Sequence, residues 1–143
     1  MKRIALLLAL TTALTAHADR WNVGLGLGGG YWFEGAAQFD LHFKVQANLG
    51  QVVSLGFRPG ILLNVRPGVE VGIPVDAYVR FNVKRVYFDV IGGLAILFGN
   101  TYPLRAHVAG GMGVFVWKGF SIGAEAGWLQ NGAQLLLRLS FAI

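Results

Sequence analysis

The stretch Ala37-Gln38-Phe39-Asp40-Leu41-His42-Phe43-Lys44-Val45-Gln46-Ala47-Asn48-Leu49 alternates apolar and polar side chains without a break. Successive side chains of a β-strand point to opposite faces, so a strict period of two makes one oily face and one wet face. An α-helix would scatter the same residues around its axis. The pattern returns at residues 69–83, where Val69, Val71, Ile73, Val75, Ala77, Val79, Phe81 and Val83 alternate with Glu70, Gly72, Pro74, Asp76, Tyr78, Arg80 and Asn82.

Working outward from these two stretches, turn residues divide the chain into eight strands at about 20–33, 36–48, 52–65, 69–83, 86–98, 104–116, 120–130 and 133–143. The connections are short and rich in Gly, Pro and Asn, the chemistry of hairpins. They fall at Glu34-Gly35, Leu49-Gly50-Gln51, Arg66-Pro67-Gly68, Lys84-Arg85, residues 99–103, Trp117-Lys118-Gly119 and Asn131-Gly132. Eight hairpin-linked strands imply an antiparallel up-and-down meander, which closes into a barrel and so removes both edges. Each segment is also long enough for a tilted membrane strand, which needs about 9–11 residues.

Composition agrees with a membrane barrel and excludes other classes. Hydrophobic residues make up 55% of the 143 and charged residues 13%, against about 25% charged in a typical soluble domain. Even counting glycines, no apolar run after the first eighteen residues exceeds the eleven at 23–33, and the one at 90–99 has ten, too short for a helical span of about 20. Residues 1–18 read as a signal peptide, with Lys2 and Arg3 ahead of an apolar run at 4–14 and Ala16-His17-Ala18 as the cleavage signature. Residues 19–143 then form a single barrel domain, exported to the bacterial outer membrane. Without Lys2 and Arg3 that domain keeps ten basic and seven acidic side chains, a net +3 spread along the chain, which argues against a nucleic-acid partner. The absence of cysteine excludes disulfides, thiolate metal sites and a cysteine nucleophile.

Alternation alone leaves open which face points outward, and three features favour an apolar exterior. The apolar face carries no charge in any strand after the first, as lipid contact demands. The other face is small and glycine-rich, beginning with Gly24, Gly26, Gly28 and Gly30, which suits a narrow lumen. Register supplies the third feature. A two-residue turn at Asn131-Gly132 would set Glu125 opposite Arg138, a turn at Arg66-Pro67-Gly68 sets Arg58 opposite Asp76 and Asn64 opposite Glu70, and a turn at Lys84-Arg85 sets Arg80 opposite Asp89. Opposite charges paired across strands on the wet face are what an enclosed interior requires. The expected lumen network is Asp40, Lys44, Arg58, Asp76, Arg80, Asp89, Arg105, Glu125 and Arg138, with His42 and His107 as hydrogen-bonding members and His42 set beside Arg58 and Asp76. Aromatics gather near the two sets of strand ends, Trp21, Phe81, Phe88, Trp117, Phe120 and Phe141 at one and Tyr31, Phe33, Phe98, Tyr102 and Trp128 at the other, as interfacial girdles do.

On these residues the chain resembles the small eight-stranded outer-membrane barrels, such as the membrane domain of outer membrane protein A and OmpX-type proteins. The resemblance covers residues 19–143 and implies an all-β transmembrane barrel in contact with outer-membrane lipid and delivered by the barrel-assembly machinery. The sequence departs from that family in its ending, Phe141-Ala142-Ile143 where an aromatic residue is usual, and in its uniformly short loops. Pro74 is a third departure, and a β-bulge is expected there because a closed barrel has no edge on which to place a missing donor.

Family precedent for lipid A modification by Ser, His and an acidic partner prompts a search for chemistry. Ser54, Ser121 and Ser140 fall toward one end of the strands and His42 and His107 toward the other, so no nucleophile meets a base. Isolated histidines and paired carboxylates give no metal-ligand spacing. The Gly24–Gly30 repeat lacks the following Lys-Ser/Thr of a phosphate loop, and no cofactor is implied. The sequence therefore reads as a non-enzymatic envelope protein with a structural or partner-binding role. A narrow solute pore and a soluble periplasmic barrel of lipocalin type, holding an apolar ligand inside, are the alternatives.

Overall fold

A computed structural model of the protein describes residues 21–99, 101, 103–130 and 132–143, with Trp21 described by its backbone alone. The signal-peptide reading of residues 1–18, the side chains of Trp21 and Tyr102, and Asn131 lie outside the described residues. The eight strands are β1 (Trp21–Trp32), β2 (Ala36–Asn48), β3 (Val53–Arg66), β4 (Gly68–Val83), β5 (Val86–Leu97), β6 (Leu104–Trp117), β7 (Phe120–Leu129) and β8 (Gly132–Ala142). Each pairs antiparallel with its sequence neighbour, and β8 closes on β1 to complete the barrel. Strand boundaries fall within two residues of those expected from the alternation.

The turns show why short connections suffice. Lys84 and Arg85 link the Val83–Val86 pair, with Lys84 in the left-handed region at φ 57°. Gly35 (φ 94°) sits on a turn in which its N–H donates to the Trp32 carbonyl at 3.0 Å. Such backbone angles suit the tight reversals that a right-twisted antiparallel pair needs.

Register matches expectation at two of the three charged hairpins. Arg58 lies opposite Asp76, Asn64 opposite Glu70 and Arg80 opposite Asp89. The third differs. In β7–β8 the closing pair is Leu129–Gly132, so the connection runs through positions 130 and 131 and Gln130 takes the positive φ of 55°. Glu125 consequently lies opposite Leu136, and Arg138 opposite Gly123. The Asn-Gly signal misleads because Gly132 is needed for packing. A Cβ on it would run into the Trp32 indole nitrogen, so this glycine opens β8 instead of forming the turn.

The bulge expected at Pro74 is absent. The β3–β4 ladder keeps one register on both sides of it, with pairing interrupted only between Pro59–Val75 and Leu62–Gly72, and Pro74 stays paired with Ala95 of β5. Pro59 interrupts the β2–β3 ladder in the same way, between Val45–Phe57 and His42–Gly60. Each proline's missing donor is met by a local opening of the ladder, with no inserted residue. The register shift seen among the described residues lies instead between β6 and β7, at Phe115/Trp117.

The two faces are sharply divided. Apolar side chains cover the outer wall on every strand, including Leu27, Phe39, Phe57, Val71, Val90, Val108, Ile122 and Leu137, with Leu137 69% exposed. Charged side chains turn inward, where Arg58, Asp76 and Glu125 are each at most 3% exposed. A lipocalin-type barrel has the reverse arrangement, so that alternative falls.

Candidate functional site

The strand register stacks the inward residues in levels along the barrel axis. At the mouth where residues 21 and 143 lie, the wall is polar and open. An open vestibule of about 740 Å³ is lined there by residues including Asn22, Lys44, Gln46, Asn48, Arg80, Asn82, Lys84, Lys118, Ser121 and Ser140. Lys44 Nζ donates to Ser140 Oγ at 2.8 Å, across the β1 strand that separates β2 from β8. Ser54 donates to Asn48 Oδ1 at 2.8 Å and accepts from Asn82 at 3.2 Å. Just deeper, Arg80 grips Asp89 through two bonds of 2.7 Å, and its guanidinium lies 3.8 Å from the Tyr87 ring centre and 5.6 Å from that of Tyr78.

The middle level is ionic. Arg58 of β3 donates to Asp76 of β4 at 2.9 Å and to Glu125 of β7 at 2.8 and 3.3 Å. Three strands lie between β3 and β7 in either direction, so this contact crosses the full width of the lumen. Arg138 of β8 holds the same Glu125 through Nε at 2.6 Å and Nη2 at 2.9 Å, and reaches Asp40 of β2 at 2.8 Å. His107 Nδ1 sits 2.8 Å from Asp76, and its Nε2 sits 2.5 Å from the Gln134 amide. His42 lies beside Arg138 (3.1 Å) and Asp40 (3.5 Å). The histidine next to Asp76 is thus His107, and not His42 as the sequence suggested. The chain Asp40–Arg138–Glu125–Arg58–Asp76–His107–Gln134 is continuous and joins six of the eight strands. A charge-assisted bond is stronger than a neutral one, and low local dielectric strengthens it further.

Beyond the ionic level the lumen turns apolar. Trp32, Leu62, Leu97 and Leu129 cluster with Ala36 and Ala95 inside the barrel, all nearly inaccessible, and Leu136 is buried beside them. Between this plug and the ionic level remains a cavity of about 20 Å³ bordered by Gln38, His42, Leu62, Pro74, His107 and Leu136, about the volume of one water molecule's centre. At the far rim the guanidiniums of Arg66 (4.8 Å) and Arg105 (5.3 Å) both approach the Trp32 ring. Arg66 approaches Glu70 at 3.7 Å and Arg105 approaches Glu34 at 4.0 Å. Arg105 therefore stands apart from the central cluster.

Glycine is what makes room for these groups. A Cβ at Gly26 would overlap the His42 ring, one at Gly28 would overlap the Asp40 carboxylate, and one at Gly56 would overlap Tyr78. The glycine-rich β1 is a recess for the charges of β2 and β8, in keeping with the reading of strand glycines as sites of close approach. The sequence reading did not anticipate the apolar plug. Its only trace is the places where alternation fails, such as Leu62-Leu63 and Leu135-Leu136-Leu137.

For chemistry the arrangement offers little. Among the described residues no serine is hydrogen-bonded to a histidine, and no three His, Asp or Glu side chains are grouped to hold a metal ion. Each carboxylate of the central cluster is saturated by arginine or histidine.

No family model and no curated protein matches the sequence. Among solved structures the barrel is similar to a de novo designed transmembrane β-barrel, with a TM-score of 0.66 at 15% identity over 85% of this chain and 95% of that one. It is also similar to the N-terminal β-barrel domain of Pseudomonas aeruginosa OprF (TM-score 0.59, 14% identity, 85% of this chain and 97% of that one). A third is the Yersinia pestis outer membrane protein Ail (TM-score 0.57, 11% identity, 85% and 99%). The fold is that of the eight-stranded transmembrane barrels.

Proposed function

We propose that this chain is exported, loses residues 1–18, and resides in the bacterial outer membrane as a non-enzymatic, non-conducting barrel with a structural or envelope-partner role. One observation carries the reading, namely the outer wall, where exposed Leu, Val, Ile and Phe surround an interior holding the arginines and carboxylates. In water that wall would be a hydrophobic patch far larger than the few hundred Å² a soluble monomer tolerates. Lipid removes the penalty, and closure satisfies the backbone groups that lipid cannot. Lipid on the outside and the barrel-assembly machinery during insertion are the partners this reading entails.

The absence of catalysis rests on the lack of a positioned nucleophile and base, and the absence of conduction on the ionic crossing and the apolar plug that fill the axis. The narrow-pore alternative needs a continuous water path. Cell fractionation tests the placement. Extraction only by detergent, heat-modifiable migration on gels and a mature mass that starts at Asp19 are expected, whereas release by osmotic shock refutes it.

A further inference from the structure

We propose that the vestibule at the terminal mouth binds a small phosphate-bearing anion from the aqueous side. Charge is distributed very unevenly along this barrel. Arg58, Arg66, Arg80, Arg105 and Arg138 each have a carboxylate within 4.0 Å. Among the described residues, Lys44, Lys84, Arg85 and Lys118 have none, and all four belong to the terminal mouth. Three of these, with Arg80, line the vestibule of about 740 Å³, which has no Asp or Glu in its lining. Arg80 is matched by Asp89 and the Ile143 carboxyl lies at the same mouth, so the three lysines leave an excess of positive charge. A concave surface with such an excess, walled by low-dielectric protein, concentrates its field and draws counter-ions.

Lys44 makes the mouth more than a charged rim. It is 8% exposed, it faces the vestibule, and its polar partner is the neutral hydroxyl of Ser140. A buried ammonium with no carboxylate in direct contact is costly, and a bound anion supplies a close partner. Around it stand neutral donors suited to phosphate oxygens: the amides of Asn22, Gln46, Asn48 and Asn82, and the hydroxyl of Ser121. Lys84 and Lys118 sit on the β4–β5 and β6–β7 turns and line the opening. A lysine ammonium is a point donor that accepts phosphate without fixed geometry. The recess lies inside the barrel wall, so a solute from water reaches it more readily than a lipid headgroup held outside.

The test titrates inorganic pyrophosphate into the full mature chain held in phosphatidylcholine nanodiscs, read by backbone amide NMR. A dispersed β-barrel spectrum before any addition establishes the membrane fold separately, so its failure is distinct from failure of binding. Saturable shifts are expected at Lys44, Asn82, Lys118 and Ser140, with none around Arg66 and Arg105. Lys84→Asn with Lys118→Ser, both on exposed turns, weakens binding several-fold, and adding Lys44→Gln brings the loss to about tenfold or more. Arg66→Gln with Arg105→Gln leaves it unchanged. In a second arm, nanodiscs containing phosphatidylglycerol that shift the same amides without pyrophosphate assign the phosphate to a lipid headgroup and overturn the soluble source. Absence of shifts, shifts at both mouths alike, or shifts that survive the triple variant overturn the proposal.

Discussion

Replacing Glu125 by glutamine isolates the energetic role of the central ionic level. The side chain is 2% exposed and accepts four bonds from two guanidiniums, at 2.8 and 3.3 Å from Arg58 and at 2.6 and 2.9 Å from Arg138. Glutamine keeps the shape, removes the charge, and points an N–H₂ at an arginine donor. If the lumen behaved as solvent, the loss would be that of a surface pair, about 0–1 kcal/mol. Breaking a buried pair by removing one partner costs about 3–5 kcal/mol. Arg58 keeps Asp76 and Arg138 keeps Asp40, so neither cation is orphaned and the lower end, about 3 kcal/mol, is expected. The measurement is urea unfolding in phosphatidylcholine vesicles followed by tryptophan fluorescence. Glu34→Gln is the reference, since its pair with Arg105 spans 4.0 Å at a carboxyl 35% exposed, and it should cost under about 1 kcal/mol. Equal losses for Glu125→Gln and Glu34→Gln would refute the idea that the middle of the lumen is enclosed.

Three further outcomes follow from the same geometry. Gly30→Ala pushes a Cβ into the Leu135 carbonyl and the β8 backbone and should cost about 1–3 kcal/mol by overpacking, while Gly92→Ala, which meets nothing within 4 Å, should stay within about 0.5 kcal/mol of wild type. Leu137→Arg, on the outer wall opposite Gly29 and Ala124, should cost about 2–4 kcal/mol in vesicles, and a neutral result would mean that water touches that face. In planar bilayers the purified barrel should give no single-channel steps, and regular steps would show that the plug around Leu97 and Leu129 opens.

Strand number, boundaries and sidedness were legible in the sequence because each is a local property of a period-two pattern. Where a hairpin has only one reasonable turn, as at Lys84-Arg85, register was legible too, and Arg80–Asp89 came with it. The β7–β8 hairpin shows the limit. Asn131-Gly132 carries the strongest turn signal in the chain, yet the glycine is claimed by the Trp32 indole, a residue a hundred positions away. The resulting two-residue shift keeps every side chain on its expected face, since parity is preserved. Only the partners change. Glu125 and Arg138 still meet, on a diagonal, because a guanidinium is long enough to span the offset. Sidedness survives such an error, and pair assignment survives it only for long side chains. Asp76 meets His107 for a separate reason: both are paired with Gly93 of β5, whose missing side chain lets them touch across that strand.

The apolar plug marks a different boundary of what one strand can reveal. Residues 61–63, 94–97 and 135–137 break the alternation by adding Leu62, Ala95 with Leu97, and Leu136 to the wet face, and each break, alone, is compatible with an ordinary strand. Closure changes their meaning. The registers bring Leu62 of β3, Leu97 of β5, Leu129 of β7 and Trp32 of β1 to one level, so that four alternate strands contribute one large group apiece to the axis. Alternate-strand layering is how narrow barrels fill their centres. Here it sets a dry layer directly against the Arg58–Glu125 crossing. That layer keeps water from the far side of the ion pairs, while the cation-rich vestibule leaves Lys44 on the wet side, so one barrel combines an enclosed, charge-balanced middle with an unbalanced and accessible mouth.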